Sequence, residues 1–203
     1  MTPSPATVVA DPVTFDVERA PTFRRAQVAL RLLLLILISW VSHPFGLLWL
    51  VLPVAVAIRI SQKGGQRYLD EDGTKVTNIL RWIVAVLAYL ALLIDELPEA
   101  GESPVRFEVE RTGSPTVGSA LLRIIYAIPS VIVLAILGIA GAFVWLVSAV
   151  FVVVGERYPE SFWRFLRGLV RWEARLLAYL ASLTDRYPPF RLETGPAASR
   201  LVA

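Results

Sequence analysis

The sequence predicts an all-α membrane protein built as a tandem duplication. Each copy is a short β-strand, a two-helix transmembrane hairpin and a basic amphipathic helix lying in the membrane interface. Three observations predict it. The chain is 56% hydrophobic with a mean hydropathy of +0.61, beyond ordinary globular usage, and the excess gathers in long uncharged runs that suit lipid as solvent. Blocks of sequence recur in order at a nearly constant offset. Each copy also ends in a segment suited to a helix at the membrane surface, most clearly in the second, where charged and apolar residues sort onto opposite faces at helical spacing.

The recurrence sets the boundaries. Val13-Thr-Phe-Asp-Val-Glu-Arg19 returns as Val105-Arg-Phe-Glu-Val-Glu-Arg111, an offset of 92 (105 minus 13), and Arg31 returns as Arg123 at the same offset. Arg81-Trp82, Ala88-Tyr89-Leu90-Ala91, Leu93, Asp95 and Pro98 return as Arg171-Trp172, Ala178-Tyr179-Leu180-Ala181, Leu183, Asp185 and Pro188, an offset of 90. The chain therefore divides into a tail (1–12), a first unit (13–98), a linker (99–104), a second unit (105–193) and a second tail (194–203). The tails lack periodicity and are expected to be disordered. The first apolar run starts near Ala26 behind a polar leader, so the first span is expected to act as its own uncleaved insertion signal.

Each unit opens on a strand. Val13, Phe15 and Val17 alternate with Thr14, Asp16 and Glu18, and Val105, Phe107 and Val109 repeat the pattern, which is the period of a half-buried strand. Pro189 to Glu193 is a further strand candidate. The hairpins follow. No charge occurs from Ile124 to Gly155, about 48 Å as a straight helix against a hydrocarbon core of about 30 Å, so a turn is expected at Gly138 to Gly141. In the first unit the run from Leu32 to Ile58 is broken by Ser42-His43-Pro44-Phe45-Gly46, a turn composition. Pro129 is expected to kink its span, and Gly64-Gly65 reads as a hinge in the charged connector.

The third helix fixes the topology. Between Phe162 and Leu183, Arg164, Arg167, Arg171 and Arg175 fall on one side at 100° per residue, opposite Phe165, Leu169, Trp172, Leu176 and Leu180. Such a helix lies in the interface plane. Its counterpart has 13 uncharged residues, Trp82 to Ile94, too few to span. Four spans result, with all 20 Lys and Arg on one side and both termini in the cytoplasm.

The segment Arg171-Trp-Glu-Ala-Arg-Leu-Leu-Ala-Tyr-Leu-Ala-Ser-Leu-Thr-Asp-Arg-Tyr-Pro-Pro-Phe190, with Gly155-Glu-Arg-Tyr-Pro159 before it, resembles the bacterial, mainly actinobacterial, membrane-protein family called domain of unknown function 4389. That family carries an Arg-Tyr-Pro start, an Arg-Trp amphipathic helix and a Thr-Asp-Arg-Tyr-Pro-Pro-Phe exit. The first unit departs from it, with Gln66-Arg-Tyr-Leu-Asp70 at the start and Ile94-Asp-Glu-Leu-Pro98 at the exit. The resemblance implies a multi-pass protein of the bacterial cytoplasmic membrane and brings no known activity.

Chemistry is sparse. With no cysteine and one histidine, His43, thiolate and paired-histidine metal sites are unavailable, a catalytic triad lacks partners, and no cofactor is expected. The net charge of +3 gives no reason to expect nucleic acid. Arg164, Arg167, Arg171 and Arg175 with Trp163 and Trp172, and Arg81 with Trp82, are candidate contacts to anionic lipid headgroups. Glu173 projects from the apolar face of the same helix among Leu169, Val170, Leu176 and Leu177, where the first unit has Ile83. A buried pair with Arg123, or with Arg111, is expected. Asp95 and Asp185 recur before each exit as polar helix ends or cation contacts. The expected function is a non-enzymatic scaffold or accessory subunit touching anionic lipid and another membrane protein or further copies of itself. The alternative is an oligomeric pore or transporter for a hydrophobic or lipid substrate.

Overall fold

A computed structural model describes residues 11–20, 23–41, 43–98, 104–155 and 158–193, with the side chains of 36–47 also outside the description. Residues 99–103 of the linker and residues 1–10 and 194–203 of the tails lie outside the described residues. Asp11 and Pro12, assigned above to the first tail, are placed: Pro12 O accepts from Glu110 N at 2.8 Å.

The two strands form as their alternation requires. β1 (Val13–Val17) and β2 (Val105–Val109) pair antiparallel, with Val13 opposite Val109 and Phe15 opposite Phe107. Phe15, Phe107 and the valines Val13, Val17 and Val105 turn inward, while Thr14, Asp16, Glu18, Arg106 and Glu108 face out. Pro189 to Glu193 does not become a strand. It runs irregularly along the last helix, which takes up its carbonyls: Arg171 donates to Leu192 O at 3.1 Å and Arg175 to Arg191 O at 3.1 Å.

Helices α1 (Arg25–Val41) and α2 (His43–Lys63) flank Ser42, which lies outside the described residues, and Pro44 and Gly46 are helical residues at the start of α2. His43 is helical rather than in a loop. Gly64, with φ of +85°, ends α2 as the expected hinge. A short turn, α3 (Gly65–Arg67), and a π-helical turn (Tyr68–Asp72) lead into α4 (Gly73–Leu90).

The second hairpin does not exist. α5 (Val117–Gly155) is one helix of 39 residues, about 58 Å long, passing through Gly138 to Gly141 without a turn. Gly-Ile-Ala-Gly supplies no polar group to take over the backbone hydrogen bonds that a turn would free, and an unbroken helix keeps all of them in apolar surroundings. Gly141 serves packing instead, because a Cβ there would come within 2.8 Å of Leu169 Cδ1. The start of α5 is fixed by a reciprocal cap: Thr116 N donates to Ser119 Oγ at 2.9 Å and Ser119 N to Thr116 Oγ1 at 3.1 Å. Ala120, Ala127, Leu134, Gly141 and Ser148, seven apart, make one buried stripe, while Ile125, Ile132, Ile139, Phe143 and Val150 stand exposed. The first residue of α1 and the last of α2 lie 92 positions before the first and last of α5 (117 minus 25; 155 minus 63). The four expected spans are therefore not observed as hairpins. Among the described residues, one helix, α5, is long and apolar enough to cross a membrane.

The molecule has three layers. The long helices form the first, with opposite ends together: Gly65 after α2 lies against Pro115 before α5, and Tyr158 after α5 packs edge-on to Phe23 before α1 at 5.3 Å. α4 and α6 (Glu160–Leu180) form the middle. The sheet covers their far side, held crosswise: Arg81 of α4 donates to Phe107 O at 3.2 Å, and Arg171 of α6 donates to Phe15 O at 3.3 Å.

Candidate functional site

Two arginine clasps organise the ends of α4 and α6. Both helices close with a left-handed residue, Leu92 at φ 61° and Ser182 at φ 55°, which wraps the chain back over the last turn. Arg31 is buried and donates to Ile94 O at 2.5 Å, lies 3.4 Å from the Asp95 carboxylate, and stacks 4.4 Å over the Tyr89 ring. Arg123 repeats this, donating to Tyr179 O at 2.7 Å and Thr184 O at 2.5 Å, pairing with Asp185, and stacking 4.5 Å over Tyr179. Asp95 and Asp185 are thus the anionic halves of two clasps. Sequence reasoning matched these arginines, tyrosines and aspartates between the units without joining them. The available signal was that all three types recur together.

The second clasp continues into an aromatic exit. Tyr187 OH meets Ser130 Oγ at 2.7 Å, its ring packs on Tyr179 at 5.5 Å and Phe190 at 5.8 Å, and Phe190 packs edge-on to Trp172 at 5.4 Å. Gly113, at φ +108°, passes so close to Asp185 that any Cβ would strike the carboxylate. A family model described as Domain of unknown function (DUF4389) matches residues 118–191. This region belongs to that family. The match takes in nearly all of α5, the whole of α6 and the exit through Arg191. No curated protein and no solved structure matches the chain.

Within the DUF4389 region the arginine stripe is not the open headgroup surface its spacing implies. Arg171 and Arg175 are buried beneath the sheet and the C-terminal segment, and Arg175 pairs with Asp11 at 2.8 Å. Burial, with Arg167 and Arg175 beside it, pulls the Arg171 guanidinium down to about 10, still charged at neutral pH. Arg167 pairs with Asp16 and lies 5.0 Å over Trp163. Trp163 and Trp172 are themselves buried. The physical reason is that helical spacing sorts polar from apolar residues without saying what covers the polar face, and here backbone carbonyls and two aspartates do. Arg164 remains 68% exposed and Trp82 50%, so these two are the members of the expected set left open at the surface. Arg81 is half-buried against β2.

The expected Glu173–Arg123 pair is not formed. Arg123 belongs to Asp185, and Arg111 donates to Leu69 O at 3.3 Å and Thr74 Oγ1 at 2.8 Å. Glu173 instead lines an apolar cavity of about 870 Å³ between the long helices, α4 and α6. Burial pushes its carboxyl up to about 7. No group of three or more His, Cys, Asp or Glu suited to a metal ion occurs among the described residues.

Proposed function

We propose that this protein is a non-catalytic membrane scaffold of duplicated construction, seated in the bacterial cytoplasmic membrane by its long helices and offering its charged sheet to aqueous partners. The duplication is supported by strands and long helices displaced by 92 residues and by the two clasps. The observation that carries the seating is the division of α5 along its length. Its exposed apolar face runs from Leu121 to Val154, and the charged sheet lies on the far side of α6.

This division favours long helices lying along the bilayer over helices passing through it. Leu169 meets α5 at Gly141 and Arg171 two residues on meets β1, so the sheet stands level with the middle of α5. A crossing centred on α5 would carry Asp16, Arg106 and Glu108 to the bilayer midplane, at about 2.5–3.5 kcal/mol per charge. Lying flat, the same helix buries its open face in one leaflet and leaves those charges in water. Arg164 and Trp82 then reach the headgroups, with anionic lipid favoured by about 1 kcal/mol per basic residue. Partners of the sheet face are a second membrane protein or further copies of this chain.

The chain has no cysteine, so single labels are clean. Nitroxides at Ile125→Cys, Ile139→Cys and Val154→Cys, all exposed positions, are expected to report equal depth in reconstituted bilayers. A deep centre with shallow ends would establish crossing and overturn the flat seating. A second reading, handling of a hydrophobic substrate, is favoured by the apolar cavity alone.

A further inference from the structure

The cavity under the long helices carries one ionisable side chain among its described lining residues. Trp49, Leu87, Trp145, Leu169 and Leu177 are typical of its wall, and the described lining residues of α1, α2, α4 and α5 are uncharged. Open on one side, its volume of about 870 Å³ falls in the range of sites that hold a small ligand, roughly 300–1,000 Å³. Glu173 enters from the α6 side, one turn from Leu169 and Leu177 on the same face.

An ionised carboxylate in such a wall requires a cation, and among the described residues the arginines expected as its partners are engaged elsewhere. Arg123 is engaged by two carbonyls and Asp185, and Arg111 is exposed and turns its Nη1 to Leu69 O and Thr74. Arg171 and Arg175 sit on the opposite face of α6, bound to the sheet and the C-terminal segment. A ligand with a cationic head and an otherwise apolar surface would supply the charge that the ionised carboxylate lacks, and two indole rings, Trp49 and Trp145, are in the wall to receive an ammonium group by cation–π contact. We infer that this cavity binds a cationic amphiphile, an alkyl chain bearing an amine, with Glu173 as the counter-ion. The inference rests on the membrane seating only for the ligand's route of access. A failure here leaves the depth profile of α5 untouched, and the reverse also holds.

The experiment uses the full chain in nanodiscs of neutral phosphatidylcholine at pH 8, with tryptophan fluorescence quenched by a brominated 12-carbon amine or the matching brominated alcohol. The expected result is half-maximal quenching by the amine at a concentration about tenfold or more below that for the alcohol, the scale of one charge-assisted contact. In Glu173→Gln the amine should lose this advantage while the alcohol curve stays in place. Glu173→Asp, which keeps the charge, should retain the preference and guards against a folding defect in the first variant. Leu177→Trp, which fills the cavity, should weaken both probes. Equal quenching by amine and alcohol in the unmodified protein would mean simple apolar filling and overturns the inference. An amine preference that survives Glu173→Gln overturns it as well, by assigning the attraction to another group.

Discussion

The N-terminal and C-terminal halves share a framework and differ in what is added to it. Arg31, Tyr89 and Asp95 make the same clasp as Arg123, Tyr179 and Asp185, and Arg81 reaches across to β2 as Arg171 reaches across to β1. At the 90-residue offset, however, Arg164, Arg167, Glu173 and Arg175 correspond to Thr74, Thr77, Ile83 and Ala85. The shared residues hold the fold, and the unshared ones carry what is special to the second half.

Breaking the clasps tests the shared framework most severely. Arg123→Met is expected to cost about 2–4 kcal/mol, because it leaves the buried Tyr179 and Thr184 carbonyls without their donor, read as a lowered unfolding midpoint. Arg31→Met should cost less, because Arg31 Nε and Nη1 already lack hydrogen-bond partners. Equal losses would mean that the extra carbonyl on Arg123 contributes nothing.

Glu173 sharpens the contrast through pH. The folded protein holds a proton that the unfolded chain has released between pH 4.5 and about 7, so stability should fall as pH rises through that window, by about 3 kcal/mol at most. Glu173→Ile, which copies the first half, should flatten the profile between pH 5 and pH 8 and raise stability at the upper end. An unchanged slope would assign the titration to another group.

Two smaller changes follow. Arg175→Ala, copying Ala85, leaves the Asp11 carboxylate only Arg191 at 3.9 Å and Val13 N at 3.3 Å and should cost about 1–3 kcal/mol, whereas copying in the other direction, Ala85→Arg, places a charge at a fully buried position. Ser182→Gly removes a left-handed non-glycine residue and a buried hydroxyl without a partner, and should stabilise by about 0.5–1 kcal/mol. A loss at this position would show that the hydroxyl does have a partner.

Short-range signals were readable in the sequence. Alternation gave both strands, the Gly64 hinge fell where glycines cluster, and the arginine-bearing third helix began and ended close to its expected bounds. Long-range statements were less secure, for definable reasons. Membrane thickness limits a helix only if the helix is upright, so the uncharged length of α5 implied a turn that its residues do not form. Spacing put Arg171 and Arg175 on a polar face, yet contacts from β1 and from the chain after Pro189, distant or irregular in sequence, decide that this face is covered. Glu173 was correctly placed on an apolar face, but its partner was assigned to an arginine that Asp185 had already taken.

The crosswise strands carry a consequence for synthesis. Val13–Val17 leaves the ribosome 92 residues ahead of its mate, Val105–Val109, an interval of about 5–20 s at ordinary translation speed. Throughout that delay its edge is open to any other nascent copy. A message truncated after the first half would yield a chain able to complete its ribbon only by joining a second molecule.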